Sequence, residues 1–198
     1  YYHADEASPN VKPGLMLRRF DTTTWKPFNE VFVEQQGDYG FAIAPGPVVA
    51  QKNADGIGYA VTWRGPVEND GGYITATWIR LIDAQGSPAG GSVEIDPPSA
   101  YPGTGATVAW SGASFIVASN SRACPGDDAA CANRLTVSSL SKLGLTKTAA
   151  AAPNAGMRAR TPLLRSYGGQ TWAAWREQLI TAKPENDPPS IVRLAAID

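Results

Sequence analysis

A chain of 198 residues is long enough to bury a sizeable core without depending on staples. Its 20 Gly and 16 Pro exclude a helical bundle, and six Trp with seven Tyr suit packed sheet faces, so the composition is that of an all-β protein rich in turns. The 17 Lys and Arg against 18 Asp and Glu leave no basic surplus for nucleic acid, and no run of about eighteen apolar residues is present to span a membrane.

Taken in chain order, residues 1–13, including Tyr1, Tyr2 and His3, read as an N-terminal tail. The start at Tyr1 rather than Met is what a removed leader would leave. Residues 14–45 supply two strands: LMLRRFD runs to Asp21, and FNEVFVEQ follows it. Residues 46–103 supply four, in PVVAQ, GYAVTWR, GYITATWIRLID and SVEID. Residues 104–159 supply four more, in ATVAW, SFIVASN, RLTVSSLSKLG and TKTAAA; the Ala-rich end of the last stops at Pro153, too short for a helix. Residues 160–198 supply three, in PLLRS, QTWAAWR and SIVRLAAID.

These units repeat. GYAVTWR starts at Gly58, SFIVASN at Ser114 and QTWAAWR at Gln170, two steps of 56 residues. Trp63, Ser119 and Trp175 fall in register, as do Arg64, Asn120 and Arg176. Short β-branched and aromatic runs broken by Gly, Pro, Asn and Asp form antiparallel hairpins, and four such strands per repeat is the signature of a β-propeller blade. The expected fold is therefore all-β, with propeller blades of four antiparallel strands and an incomplete ring. The thirteen strands fall short of the roughly sixteen of a small propeller. Three explanations stand: a fragment, one piece of a nicked propeller, or two copies sharing one ring. Each requires a partner along the last strand, residues 191–197, because unpaired strand edges recruit other chains.

The apolar run, the Trp-ending strand (AVTW, AAWR) and the strand closing on a hydrophobic-Asp turn (RRFD, RLIDAQG, LAAID) resemble the secreted β-propeller repeat proteins of bacteria, of WD40-like and TolB-like architecture. The resemblance covers residues 14–198 and implies a fold more than an activity. DTTTW, Asp21 to Trp25, resembles the Asp-box of sialidase propellers, departing from it in Arg19, in the absent Gly and in an early Trp.

In a propeller the connections between second and third strands share a face that commonly holds ligand. Here they read as 64–72, 121–134 and 176–190. They carry Glu68, Asn69 and Asp70, then Asp127 and Asp128, then Glu185, Asn186 and Asp187, which read first as solvated turn residues and second as oxygen donors of the kind Ca²⁺ takes. Cys124 and Cys131 in CPGDDAAC read as a disulfide pinching one loop, which places the chain in an oxidising setting: secreted, periplasmic or at a cell surface. Trp63, Trp175, Trp78 and Trp110 read as packing, whereas Trp25, in a turn, is a candidate aromatic contact for a glycan. No nucleophile constellation is visible, so the expected function is a noncatalytic extracellular binding or assembly module with a protein or glycan ligand. The alternatives are a glycan-acting hydrolase using the loop carboxylates and a subunit of a cell-surface assembly.

Overall fold

A computed structural model describes residues 2–3, 14–35, 44–50, 57–69, 72–99, 106–122, 133–141, 143–151, 154–179 and 189–197. Every regular element among them is a β-strand, and every pairing is antiparallel. The first sheet joins β1 (Tyr2–His3), β2 (Gly14–Leu17) and β3 (Val31–Gln35). The second joins β4 (Ala44–Ala50), β5 (Ile57–Asn69), β6 (Gly72–Asp83) and β7 (Val93–Ser99). β8 (Ala106–Trp110), β9 (Phe115–Arg122), β10 (Asn133–Ser141) and β11 (Gly144–Ala151) make the third; β12 (Met157–Tyr167), β13 (Gln170–Leu179) and β14 (Ser190–Ile197) make the fourth. Within each sheet the strands lie in sequence order, as hairpins joined by short turns require, and the described strands form no closed ring.

The 56-residue register has a structural counterpart. Gly58 is the second residue of β5, Ser114 immediately precedes β9, and Gln170 opens β13. The turns between strands use local chemistry. Gly168 and Gly169, both at positive φ, make the two-residue hairpin between β12 and β13, the primed-turn geometry that matches strand twist. Ser111 Oγ accepts from the N–H groups of Ala113 and Ser114 to close the turn between β8 and β9. The hydrophobic-Asp ending forms the same motif twice: Asp21 Oδ1 accepts from Thr23 N and Thr24 N, and Asp83 Oδ1 accepts from Gln85 N and Ser87 N.

The sheets stack in sequence order, because each second strand is apolar on both faces. Val61 and Trp63 of β5 pack with Leu15 and Val33 of the first sheet, while Ala60 packs with Ala106, Val108, Phe115 and Val117 of the third. One step on, Phe115 and Val117 of β9 face the second sheet, while Ala118 packs with Ala159, Ala173 and Trp175 of the fourth. The Trp110 and Phe115 rings meet edge to face at 5.0 Å within the third sheet. Fully burying a side chain such as Phe115 contributes about 1.5–3 kcal/mol, so three such layers supply the core. The first strands β4, β8 and β12 also lie side by side, β8 touching both of the others.

Polar clamps tie the first sheet to the second. Arg19 donates to the carbonyls of Ala84 (2.7 Å) and Gln85 (2.6 Å), so the Asp21 turn rests on the Asp83 turn, and its guanidinium lies 5.2 Å from the Phe28 ring centre. Arg80 of β6 donates to Val33 O and Gly90 O and pairs with Glu34 at 3.6 Å, and Ser92 Oγ also donates to Glu34.

Two readings of the sequence are corrected. Tyr2 and His3, taken as tail, pair with Leu15 and Gly14 as β1, an added strand whose ladder satisfies backbone groups that β2 would otherwise leave at an edge. The segments taken as long connections are partly ladder: β5 and β6 pair out to Asn69 and Gly72, β9 and β10 to Arg122 and Asn133, and β13 and β14 to Gln178 and Ser190. Val67, Tyr73, Ile74 and Thr75 have strong strand preference, and it carries the first of these hairpins past Arg64.

Candidate functional site

The hairpins place the equivalent ends of β5, β9 and β13 at one edge of the stack, where the connections to the third strand of each unit leave. Trp63, Ser119 and Trp175 point toward the preceding sheet, so the next residue along points the other way, Arg64 and Asn120 toward the following sheet and Arg176 onto the outer face of the fourth. Asn120 is buried, and Arg64 and Arg176 are half-buried.

In the fourth sheet this edge becomes a cluster of guanidiniums. Arg160 and Arg176 are direct cross-strand partners and therefore share a face. Arg158, two residues before Arg160, is on that face too and sits opposite Gln178, whose Oε1 accepts from Arg158 Nη2 at 3.3 Å. Burial of the Arg160 guanidinium, and then the nearby positive charges of Arg158 and Arg176, hold its pKa below the ordinary arginine value. Like charges placed directly across a ladder oppose pairing by about 0.2–1 kcal/mol. Among the described residues, the Nε atoms of Arg64, Arg158 and Arg160 are buried without an acceptor.

The nearest carboxylate of β13, Glu177, is on the opposite face and already committed. It is buried, takes the indole N–H of Trp175 at 3.2 Å and the Asn154 N–H at 3.4 Å, and pairs with Arg193 Nε at 3.4 Å. The indole hydrogen bond expected for a packing tryptophan is thus met from within the same strand.

Beside the arginines the same outer face turns apolar. Leu163 and Leu194 flank Ala174 from the two neighbouring strands, Val192 sits opposite Arg176, and Trp172 lies two residues before Ala174. These side chains are exposed, Trp172 at 38% and Leu194 at 66%. At the repeat-equivalents of Trp172, Ala60 is 0% exposed and Ile116 is half-buried, and at that of Ala174, Ala118 is 0% exposed, each packed against the next sheet. β14 is the last strand of its sheet among the described residues.

Of the residues singled out from sequence, Glu68 and Asn69 lie in β5 opposite Tyr73 and Gly72, in the ladder rather than in a connection. Asp70, Asp127, Asp128, Glu185, Asn186 and Asp187, with Cys124 and Cys131, lie outside the described residues. Among the described residues no three His, Cys, Asp or Glu side chains gather as metal ligands. Trp25 is three-quarters exposed, with φ 55°, in the Asp21 turn. That turn abuts the Asp83 turn, at the end of β6 remote from Glu68 and Asn69 by about 35 Å of strand, so the structure does not bring Trp25 together with those two positions. The arginine cluster was missed from sequence, although Arg64 and Arg176 stood out in register; Arg158 and Arg160 become visible only once β12 is paired with β13.

Chemically the cluster is a rigid array of planar donors that keep their charge at any working pH, suited to holding an anion and unsuited to moving protons. The described residues include no helix, so none is long and apolar enough to cross a membrane. No family model, curated protein or solved structure matches the chain.

Proposed function

We propose that the chain is a noncatalytic binding or assembly module that works outside the cytoplasm, its four sheets being consecutive blades of a β-propeller. The stacking of sheets in sequence order and the side-by-side first strands β4, β8 and β12 support the blade reading, since blades meet along their first strands. The observation that carries the functional reading is the outer face of the fourth sheet. Leu163, Trp172, Val192 and Leu194 stand exposed on the face that, in the second and third sheets, packs against a following sheet. A contiguous apolar patch of this kind marks an interaction site. The partner it fits is another β-sheet presenting an apolar face, supplied by a further polypeptide or a second copy, whose strand pairs along residues 191–197.

The test is light scattering of the purified chain at micromolar concentration, combined with hydroxyl-radical footprinting of Trp172 and Leu194. A mass above 20.9 kDa with both side chains protected, reverting to monomer in Trp172→Asp and Leu194→Asp variants of unchanged circular dichroism, is expected. A monomer whose Trp172 reacts as fast as Trp25 would sink the reading.

A further inference from the structure

We propose that the end of the stack at which the second strands begin is a docking surface for a lipid bilayer, with Trp25, Leu143 and Tyr167 as its anchors. Strand direction gathers these residues there. β5, β9 and β13 begin, and β6, β10 and β14 finish, at that end: Ile57 pairs with Asp83, Phe115 with Leu140, and Thr171 with Ile197. Stacking keeps the ends together, since Leu81, Phe115 and Leu140 share one core layer and Ala109, Leu164 and Ala173 share the next. Arg19 holds the Asp21 turn, which carries Trp25, on the Asp83 turn at the same end. Leu143 occupies the turn between β10 and β11, and Tyr167 closes β12 at its turn into β13.

The core uses none of the three: Trp25 is 75%, Leu143 101% and Tyr167 85% exposed. Their turns nevertheless hold them in place. Trp25 N–H donates to Asp21 O at 2.8 Å, Leu143 N–H donates to Ser141 Oγ at 3.2 Å, and Tyr167 leads into the Gly168–Gly169 turn. Trp25 keeps φ 55°, where a glycine would be relaxed and a bulky side chain is strained. A basic residue accompanies each anchor in the sequence: Lys26 follows Trp25, Lys142 precedes Leu143, and Arg165 comes two residues before Tyr167. The Asp21 and Asp83 carboxylates at this end accept from N–H groups of their own turns. Trp and Tyr flanked by Lys and Arg suit the membrane–water interface, where rings sit at headgroup level and long cationic side chains reach lipid phosphates. The spacing favours lipid over protein. The anchors come from the first, third and fourth sheets, sheets pack about 10 Å apart, and the polar turns of Gln85 and Ser111 lie between. A rigid partner would need a pocket matched to each anchor, whereas the headgroup layer closes around each one separately. This inference goes beyond the sheet-docking reading, and vesicle binding succeeds or fails whatever the chain's mass in solution.

The experiment uses the whole chain, co-sedimented with vesicles of phosphatidylcholine and of an equal mixture of phosphatidylcholine and phosphatidylserine. Binding to both is expected, tighter to the mixture, with only the difference between them lost in high salt. Trp25→Ser and Leu143→Ser should each weaken partitioning about ten-fold, as the loss of one buried apolar side chain implies, and Tyr167→Ser several-fold. Vesicles brominated in the acyl chain should quench the tryptophan fluorescence of the parent and not that of Trp25→Phe, which keeps an apolar anchor. Leu194→Ser, exposed on the outer face of the fourth sheet and away from the turns, should bind as the parent does. All these positions are exposed, so circular dichroism should not change. Failure to sediment with either vesicle, equal loss in Leu194→Ser, or quenching that survives Trp25→Phe would each overturn the proposal. So would protection of Trp25 from hydroxyl radicals without vesicles, which would place a second copy of the chain on this end instead.

Discussion

Gly86 and Gly112 offer a matched pair for measuring how tightly neighbouring sheets meet. Both have φ +99°, a backbone region that side chains rarely occupy, so alanine at either position costs about 1–2 kcal/mol in backbone strain. Alanine also restricts the unfolded chain to a similar degree at both, which offsets about 0.4–1 kcal/mol of that cost. What differs is the space. A Cβ at Gly112 meets nothing within 4 Å, whereas one at Gly86 would lie 3.1 Å from Val31 Cγ2 and 3.4 Å from Arg19 Cζ, both on the first sheet. Arg19 cannot easily withdraw, because its two Nη groups hold Ala84 O and Gln85 O in the same turn. Overpacking at such a site costs about 1–3 kcal/mol, and that surplus should appear in Gly86→Ala alone. Urea unfolding followed by tryptophan fluorescence gives the difference. For a chain of this size 1 kcal/mol corresponds to about 2–4 °C in melting temperature, so Gly86→Ala should melt several degrees below Gly112→Ala. Equal stabilities within about 0.5 kcal/mol would show that the Asp21 and Asp83 turns are not in contact, and the stacking of the first two sheets would have to be redrawn.

Phe115→Ala, which empties the layer between the second and third sheets, should destabilise by about 3–5 kcal/mol in urea melts, and a loss under 1 kcal/mol would mean that layer is not packed. Arg80→Met should cost about 1–3 kcal/mol, because Val33 O, in a fully buried residue, loses its donor. The Asp21 carboxyl should titrate below the ordinary aspartate value, owing first to the Thr24 N–H, then to the Thr24 hydroxyl and the Thr23 N–H. Its contribution to stability is therefore complete above the unfolded-state pKa and lost as pH falls through the lower folded-state value. NMR titration of Thr24→Val should move that pKa upward, and an unmoved value would remove the hydroxyl from the account. Trp175→Phe, leaving Glu177 Oε1 without the indole N–H, should cost about 1–3 kcal/mol, and a neutral result would show that water replaces the bond.

Sequence pattern carried the strand order because it depends on short-range chemistry: β-branched runs, Gly and Ser turns, and the Asp21 and Asp83 endings all act within a few residues. The 56-residue register of Gly58, Ser114 and Gln170 was legible for the same reason, as each marks where a second strand begins. Strand ends were less legible. Asn69 pairs with Gly72 because the ladder already formed by Val67 and Ile74 holds it, an effect of pairing that composition does not show. The arginine cluster depends on cross-strand register through the irregularity between Arg160 and Leu163, which no single segment encodes. Tyr2 and His3 pair across ten intervening residues, with too few letters to announce a strand.

The two-faced second strands also constrain how such a chain can change in length. In β9, Val117 meets the sheet before it and Ala118 the sheet after it. Deleting one residue there would exchange the two neighbours for every side chain downstream in the strand, sending Asn120 toward the second sheet and small residues into a space shaped for Val117. Deleting two would keep each side chain on its own side and only shorten the hairpin. Insertions and deletions within β5, β9 and β13 are therefore tolerated by parity, even numbers passing where odd ones fail, and the addition of a whole 56-residue unit leaves every face with the kind of neighbour it had before.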